Sequence, residues 1–158
     1  MLETLAVLAE CLPGVHWHMV GSCDDQAYLR GLQALADRLG VSDRVTWHGY
    51  RHDAAAMMLG CSVTVLASHS EGVPRAIQEA MVQGVPAVMP AAFAQDLSHA
   101  GLPVTYRLQQ PNALAEAIRA ALIVDSSQLA VAAHWVIRRW GWATVLRDWE
   151  QIFEAVQA

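Results

Sequence analysis

The stretch SVTVLASHSEGVPRAIQEAMVQGVPAVM, Ser62–Met89, reads as strand, turn, helix and strand. Ser62–Ala67 is dominated by apolar and β-branched residues, the pattern of a parallel strand buried on both faces. Glu71 and Gly72 follow in a loop. Pro74 suits the first turn of a helix reaching about Gln83, and Gly84 closes it. Val85–Met89 is a second apolar run. Two such strands joined by one helix form a βαβ unit, whose right-handed crossover lays both strands parallel in one sheet.

The same alternation extends both ways. Leu2, Leu5, Leu8 and Leu12 stand at helical spacing until Pro13-Gly14. Val15–Val20 reads as a strand ending at Gly21. Asp24 is the expected N-cap of a helix from about Asp25 to Leu39, closed by Gly40. Arg44–His48 is a strand, Asp53–Leu59 a short helix and Pro103–Leu108 a fifth strand. Pro111 opens a run of helices to the C-terminus. The expected fold is α/β: a doubly wound parallel sheet of about five strands with C-terminal helices. Residues 1–158 are expected to form a single domain. In such a sheet ligands bind beyond the carboxyl ends of the strands, here Gly21-Ser22, Gly49-Tyr50, Ser68–Gly72 and Pro90-Ala91.

Composition removes several functions. The chain has 158 residues, and all ten basic side chains are arginine, so no lysine can serve as Schiff base, general base or P-loop cation. A net charge of −5 argues against a nucleic-acid binder, which needs a basic face. The uncharged stretch Ala80–Gln95 is interrupted by Gly84, Pro86 and Pro90 and does not suit a transmembrane span. No signal peptide is read at the start. Cys11, Cys23 and Cys61 lack CxxC spacing and are expected to be reduced, mostly buried thiols of a cytoplasmic protein.

The chemistry concentrates after the third strand. Free amides at the start of the helix near Pro74 can bind phosphate or hydroxyl groups, and Gly72 lets a ligand approach the backbone. Glu71 and Glu79 could accept hydrogen bonds from a polyol or ribose. Equally, Glu71 could be a solvated loop residue and Glu79 a surface helix residue. His69 lies two residues before Glu71 and could touch the same ligand. His16 and His18 share a strand face but lack an evident third metal ligand. Ser22 and Ser68 have no triad context. Trp135, Trp142 and Trp149 recur every seven residues, which reads first as a packed helix face. Arg138 and Arg139 beside Trp140 read as a solvated face.

Ser68, Glu71-Gly72-x-Pro74, Glu79-Ala80-Met81 and Gly84-x-Pro86 together resemble the Glu-x7-Glu signature of retaining GT-B glycosyltransferases of family 4. Val20-Gly21, the run from Leu39 to Gly49, the strand Val63–Ser68 and Trp142 resemble further family features in order. The resemblance covers nearly the whole chain, as the C-terminal donor-binding half of a GT-B fold, with a Rossmann-like sheet. It implies that Glu79 binds ribose hydroxyls and that Glu71, the catalytic-site glutamate, contacts the donor sugar. Gly21, Ser68, Gly72, Val73, Pro74 and Arg75 would border the sugar and diphosphate, and Tyr50 and Arg51 the base. The ligand implied is a nucleoside-diphosphate sugar for retaining transfer to a hydroxyl acceptor, with no metal or other cofactor.

The departures from the family pattern also generate expectations. The first family strand and the Arg and Lys that grip the diphosphate lack counterparts, as does the acceptor domain. Ala91–Asp96 replaces the usual Gly-Gly before an acid. The isolated chain is therefore expected to be inactive without a separate acceptor-domain chain. The alternative is a truncated, non-catalytic nucleotide-binding or interaction module. The strands Val15–Val20 and Ser62–Ala67 are expected to close up and pair directly, the other outcome being a strand inserted by another chain. Trp149, Ile152 and Phe153 on the last helix predict an exposed apolar face and a homodimer of C2 symmetry, formed through this helix or through the gap in the sheet.

Overall fold

A computed structural model describes residues 1–99 and 101–157. Its elements in chain order are α1 (Leu2–Cys11), β1 (Trp17–Val20), α2 (Gln26–Arg38), β2 (Val45–Gly49), α3 (Ala54–Met58) and β3 (Thr64–Val65). Then follow α4 (Arg75–Val82), β4 (Ala87–Pro90), β5 (Val104–Tyr106), α5 (Pro111–Ala121), α6 (Ser126–Trp140) and α7 (Trp142–Gln157). The alternating order expected from the sequence is present, and every strand pairing is parallel.

The strands do not form one continuous sheet. β1 pairs with β2, and β3–β4–β5 form a separate ladder. The expected direct pairing of the strand at Val15–Val20 with that at Ser62–Ala67 is therefore wrong. β3 is also much shorter than its apolar run, and Thr64 and Val65 are half-buried rather than buried on both faces. Thr64 N–H donates to Pro86 O and Leu66 N–H to Val88 O, both toward β4, so that among the described residues β3 is an edge strand with a ladder on one side.

Helix α1 holds the two ladders to common cores. Leu2 and Leu5 are buried with Ala36, Val41 and Val45 of the β1–β2 side, against Trp17 and Met19. Leu8, one turn on, is buried with Val88, Tyr106, Leu114 and Ile118 of the β3–β5 side. On the other face of β4, Ala87 and Met89 pack against Ile77, Ala80 and Met81 of α4 and Ala132 and Val136 of α6. The β3–β4–β5 ladder is thus covered on both faces. The β1–β2 ladder is covered on one, and its other face exposes His16 and His18.

Local chemistry sets the helix ends. Asp25, not Asp24, caps α2, its carboxylate accepting from Tyr28 N–H at 2.9 Å. That position places the acceptor three residues before the amide it satisfies. Asp125 caps α6 by accepting from the amides of Ser127 and Gln128. Gly141 separates α6 from α7. Its backbone is of a kind any residue adopts, but a Cβ there would collide with the Ile137 carbonyl oxygen, to which Gly141 N–H also donates.

Two sequence expectations fail on exposure. Cys11, the last residue of α1, is exposed, and Cys23 and Cys61 are only half-buried; all three are free. The tryptophans do not share a packed face, because the break at Gly141 divides them. Trp135 stacks on His99 at 5.1 Å, whereas Trp142 and Trp149 are exposed. Replacing Leu8 by Ala should remove α1's anchor in the β3–β5 core at a cost of about 2–5 kcal/mol, read as a lower urea midpoint with little change in slope.

Candidate functional site

The carboxyl ends of the strands gather on one side of the molecule. α1 packs against both ladders, and its first residues meet the ends of β3 and β5. At the end of β1, Gly21 adopts φ +141 and its N–H donates to Gly49 O at 2.9 Å. Gly49 itself has φ +64, which turns the chain out of β2 into Tyr50 and Arg51. Tyr50 is 67% exposed, with its ring edge-on to His52. Arg51 makes a bidentate pair with Asp53, at 2.7 and 2.6 Å. The pair is solvent-exposed, so its geometry fixes the loop more than it stabilises the fold. The hydrogen bond from Arg51 holds the Asp53 carboxyl below the ordinary carboxylate range.

The second group lies along β3 and α4. Ser68 and Glu71 are half-buried, while Gly72 and Val73 are exposed. Pro74 is buried and is the N-cap residue of α4, one position earlier than a first-turn proline. Arg75 is exposed at the first helical position, and its amide already donates to Val73 O at 2.8 Å. The amides of Ile77 and Gln78 both reach Pro74 O, at 3.0 and 3.2 Å. The helix start therefore offers fewer free amides than the sequence suggested. Glu79 lies one turn on, exposed on the outer face of a helix whose Ile77, Ala80 and Met81 are buried.

Gly21 with Tyr50 and Arg51, and Ser68 through Glu79, thus form two clusters on the two ladders. A cavity of about 340 Å³ lies beside the second cluster, lined by Met1, Glu3, Thr4, Ala67, His69 and Gln110 among others. Of the sequence candidates it takes His69 alone. A second cavity, about 450 Å³, runs along β5 and α5 past Arg107 and Glu116. Neither includes Glu71 or Glu79. The contribution of Met1, Glu3 and Thr4 was not read from the sequence. One signal for it was there: Thr4 is a polar residue within the leucine stripe of α1, and it is buried. Gln109, also lining the cavity, has φ +63, alone among the described non-glycine residues.

His48 joins His16 and His18 on the open face of β1–β2. His18 Nδ1 lies 2.9 Å from His48 Nε2, and His16 Nε2 lies 2.8 Å from Thr46 Oγ1. Among the described residues no group of three His, Cys, Asp or Glu side chains is arranged to hold a metal ion.

The profile of the family described as Glycosyl transferases group 1 matches residues 1–124. The chain belongs to this family. The lipopolysaccharide core biosynthesis glycosyltransferase LpsE of Rhizobium meliloti (strain 1021) is 33% identical over 86 residues, covering 54% of this chain and 24% of LpsE. The crystal structure of Anabaena Alr3699/HepE in complex with UDP superposes with a TM-score of 0.86 at 25% identity, covering 98% of this chain and 44% of that one. The same protein in complex with UDP-glucose gives 0.83 at 26% identity, with the same coverage. The C-terminal domain of a group 1 family protein (LpcC) from Francisella tularensis shares the fold, with a TM-score of 0.70 at 17% identity, covering 88% of this chain and 76% of that domain. The chain spans less than half the length of LpsE and HepE. The GT-B half-domain fold expected from the sequence is therefore present, split into two ladders. No single helix among the described residues is long and apolar enough to cross a membrane.

The Arg51–Asp53 pair makes a titration prediction. Because the folded pKa of Asp53 is lowered, the pair's contribution is present above the unfolded value and is lost as pH falls through the folded one. Arg51→Ala should move the Asp53 midpoint up toward an ordinary carboxylate, as followed by carboxyl-carbon NMR; an unmoved midpoint would show that the guanidinium is not the cause.

Proposed function

We propose that this chain is the donor-side half of a retaining glycosyltransferase and binds a nucleoside-diphosphate sugar, a uridine one in the first instance. One observation carries the reading. The Glu71–Glu79 segment stands at the carboxyl end of β3, in a domain that matches a protein crystallised with UDP and with UDP-glucose over 98% of this chain. In this reading Glu79 accepts from the ribose hydroxyls, and Glu71 faces the donor sugar. Ser68, Gly72, Val73, Pro74 and Arg75 border the sugar and diphosphate, with Gly21 across the cleft, and Tyr50 and Arg51 flank the base. In this reading no metal or cofactor is required, since the exposed Arg75 and the positive end of the α4 dipole can offset the diphosphate charge.

Transfer also needs an acceptor held in register with the donor. The proposed catalyst is therefore this half together with an acceptor-domain half, acting in the cytoplasm, where nucleotide sugars are the activated donors. A second reading, a nucleotide-binding or interaction module that catalyses nothing, is favoured by the exposure of Glu79 and by its separation from both described cavities. Calorimetry separates them in two steps. UDP should bind, and Glu79→Ala should weaken it by roughly 10- to 150-fold, the equivalent of about 1.5–3 kcal/mol for a hydrogen bond to a charged group. Unchanged affinity would remove Glu79 from the site. UDP release from UDP-glucose should stay at background until an acceptor-domain chain is added; if it stays there after addition, the second reading stands.

The last helix supplies the association surface. Trp142, Leu146, Trp149, Ile152 and Phe153 of α7 are each more than half exposed, and Trp149 stacks on Phe153 at 5.7 Å. Contiguous apolar surface of this kind is commonly covered by association. The chain alone is proposed to cover it with a second copy, as a C2 homodimer. Light scattering should give twice 17.2 kDa, and Trp149→Glu should return the monomer. A wild-type monomer at micromolar concentration would eliminate the dimer.

A further inference from the structure

The open face of the β1–β2 ladder carries a row of three imidazoles. The parallel register sets His18 opposite Thr46, so His16 and His18 on one side share this face with Thr46 and His48 on the other. The rings stand side by side, with centroids 5.1 Å apart from His16 to His18 and 5.2 Å from His18 to His48. His16 Nε2 is taken by the Thr46 hydroxyl at 2.8 Å. His18 Nδ1 and His48 Nε2 face each other directly, 2.9 Å apart. His18 is exposed and His48 half-buried, so solvent reaches the pair.

A neutral imidazole has one N–H and one lone pair. In the hydrogen-bonded pair, one inner nitrogen donates to the other. When the protons sit instead on His18 Nε2 and His48 Nδ1, both inner nitrogens turn lone pairs into the same gap. Those lone pairs repel unless one cation accepts both. The spacing suits such a cation: metal–imidazole bonds of about 2.0–2.1 Å meeting at a right angle set the two nitrogens about 2.9 Å apart. A tetrahedral angle would need about 3.3 Å. Right angles belong to the tetragonal sites of Ni²⁺ and Cu²⁺.

We propose that His18 Nδ1 and His48 Nε2 chelate one divalent late transition-metal cation, of the Ni²⁺ or Cu²⁺ kind, across the β1–β2 ladder. Among the described residues no third His, Cys, Asp or Glu is arranged to join them, so water completes the coordination. Binding releases no net proton: the proton between the rings moves through water to an outer nitrogen, and the two inner lone pairs form the metal bonds. The surrounding charges favour a cation. Asp53 lies within Coulomb range of His48, although the hydrogen bond from Arg51 is the larger influence on its carboxyl. Arg44, just before β2, donates from Nη1 to the carbonyl oxygens of Pro13 and Val15. The clip would sit beside a structural junction. His48 adjoins Gly49, whose carbonyl accepts from Gly21 N–H at 2.9 Å before the chain turns into Tyr50 and Arg51.

The test titrates Ni²⁺ into the untagged full chain, read by calorimetry and by paramagnetic broadening of the histidine ring signals. One Ni²⁺ should bind per chain and broaden His18 and His48 first. His18→Ala and His48→Ala should each weaken binding by about tenfold or more, because a second ligand held in place acts at high effective concentration. His16→Ala should leave it nearly unchanged, and Cu²⁺ should bind more tightly than Ni²⁺, with Mg²⁺ far weaker than either. Should alanine unfold the ladder, His18→Gln and His48→Gln give the same comparison with a polar side chain retained. Bound Ni²⁺ should also slow hydrogen exchange in β1 and β2 more than in β4, since the two ladders share no hydrogen bond. Equal affinity in wild type and His48→Ala would overturn the proposal. So would an equal loss in His16→Ala, broadening centred on another histidine, or Mg²⁺ binding as tight as that of Ni²⁺. No nucleotide enters the readout, so the outcome is independent of the donor-binding proposal.

Discussion

Leu5 and Leu8 lie one turn apart on α1 and are buried in different cores. Between them they set the distance and angle of two ladders that share no hydrogen bond. Sheets are normally held by their ladders, with helices packed on afterwards. Here the order is reversed at the centre of the molecule, and a ten-residue helix supplies what a backbone ladder would. Arg44 assists by donating from Nη1 to Pro13 O, which fixes the connection from α1 into β1. Everything placed at the strand ends inherits its position from this arrangement.

The candidate site divides in the same way. Gly21, Tyr50 and Arg51 ride on the β1–β2 ladder, while Ser68 through Glu79 ride on β3 and α4. Their relative placement is an apolar packing problem before it is a polar one. A ligand spanning both groups would act on the inter-ladder angle, and would contribute contacts that the sheet itself lacks. The Tyr106 hydroxyl, donating to Leu66 O at 3.3 Å, ties the far side of the three-stranded ladder to the start of the Ser68 loop. Burial raises this phenol above its ordinary pKa, so it remains a donor at neutral pH.

Element order, strand direction and the Glu71–Glu79 segment were legible in the sequence because they depend on local pattern. Apolar runs, Pro74 and Gly84 carry that information within a few residues. What was not legible depended on neighbours distant in the chain. The apolar character of Ser62–Ala67 announces a strand buried on both faces, but it does not reveal that β3 lies at the edge of its ladder, where the run is shorter and more exposed than its composition implies. His16 and His18 were readable as one face, whereas His48 joins them only through the register that sets Thr46 opposite His18. Cap choice between Asp24 and Asp25 turned on a single residue of phase. The seven-residue spacing of the tryptophans is misleading because Gly141 divides them between α6 and α7.

Gly141 has an implication for how this sequence can change over time. Exposed residues of α7 such as Trp142 and Leu146 could be exchanged singly at small cost to the fold. Gly141 could not, since the Ile137 carbonyl occupies the space of any side chain. As the sequence drifts, the direction in which α7 leaves the body of the domain is therefore more heritable than the surface α7 presents. Descendants would be expected to keep the handle and change the grip.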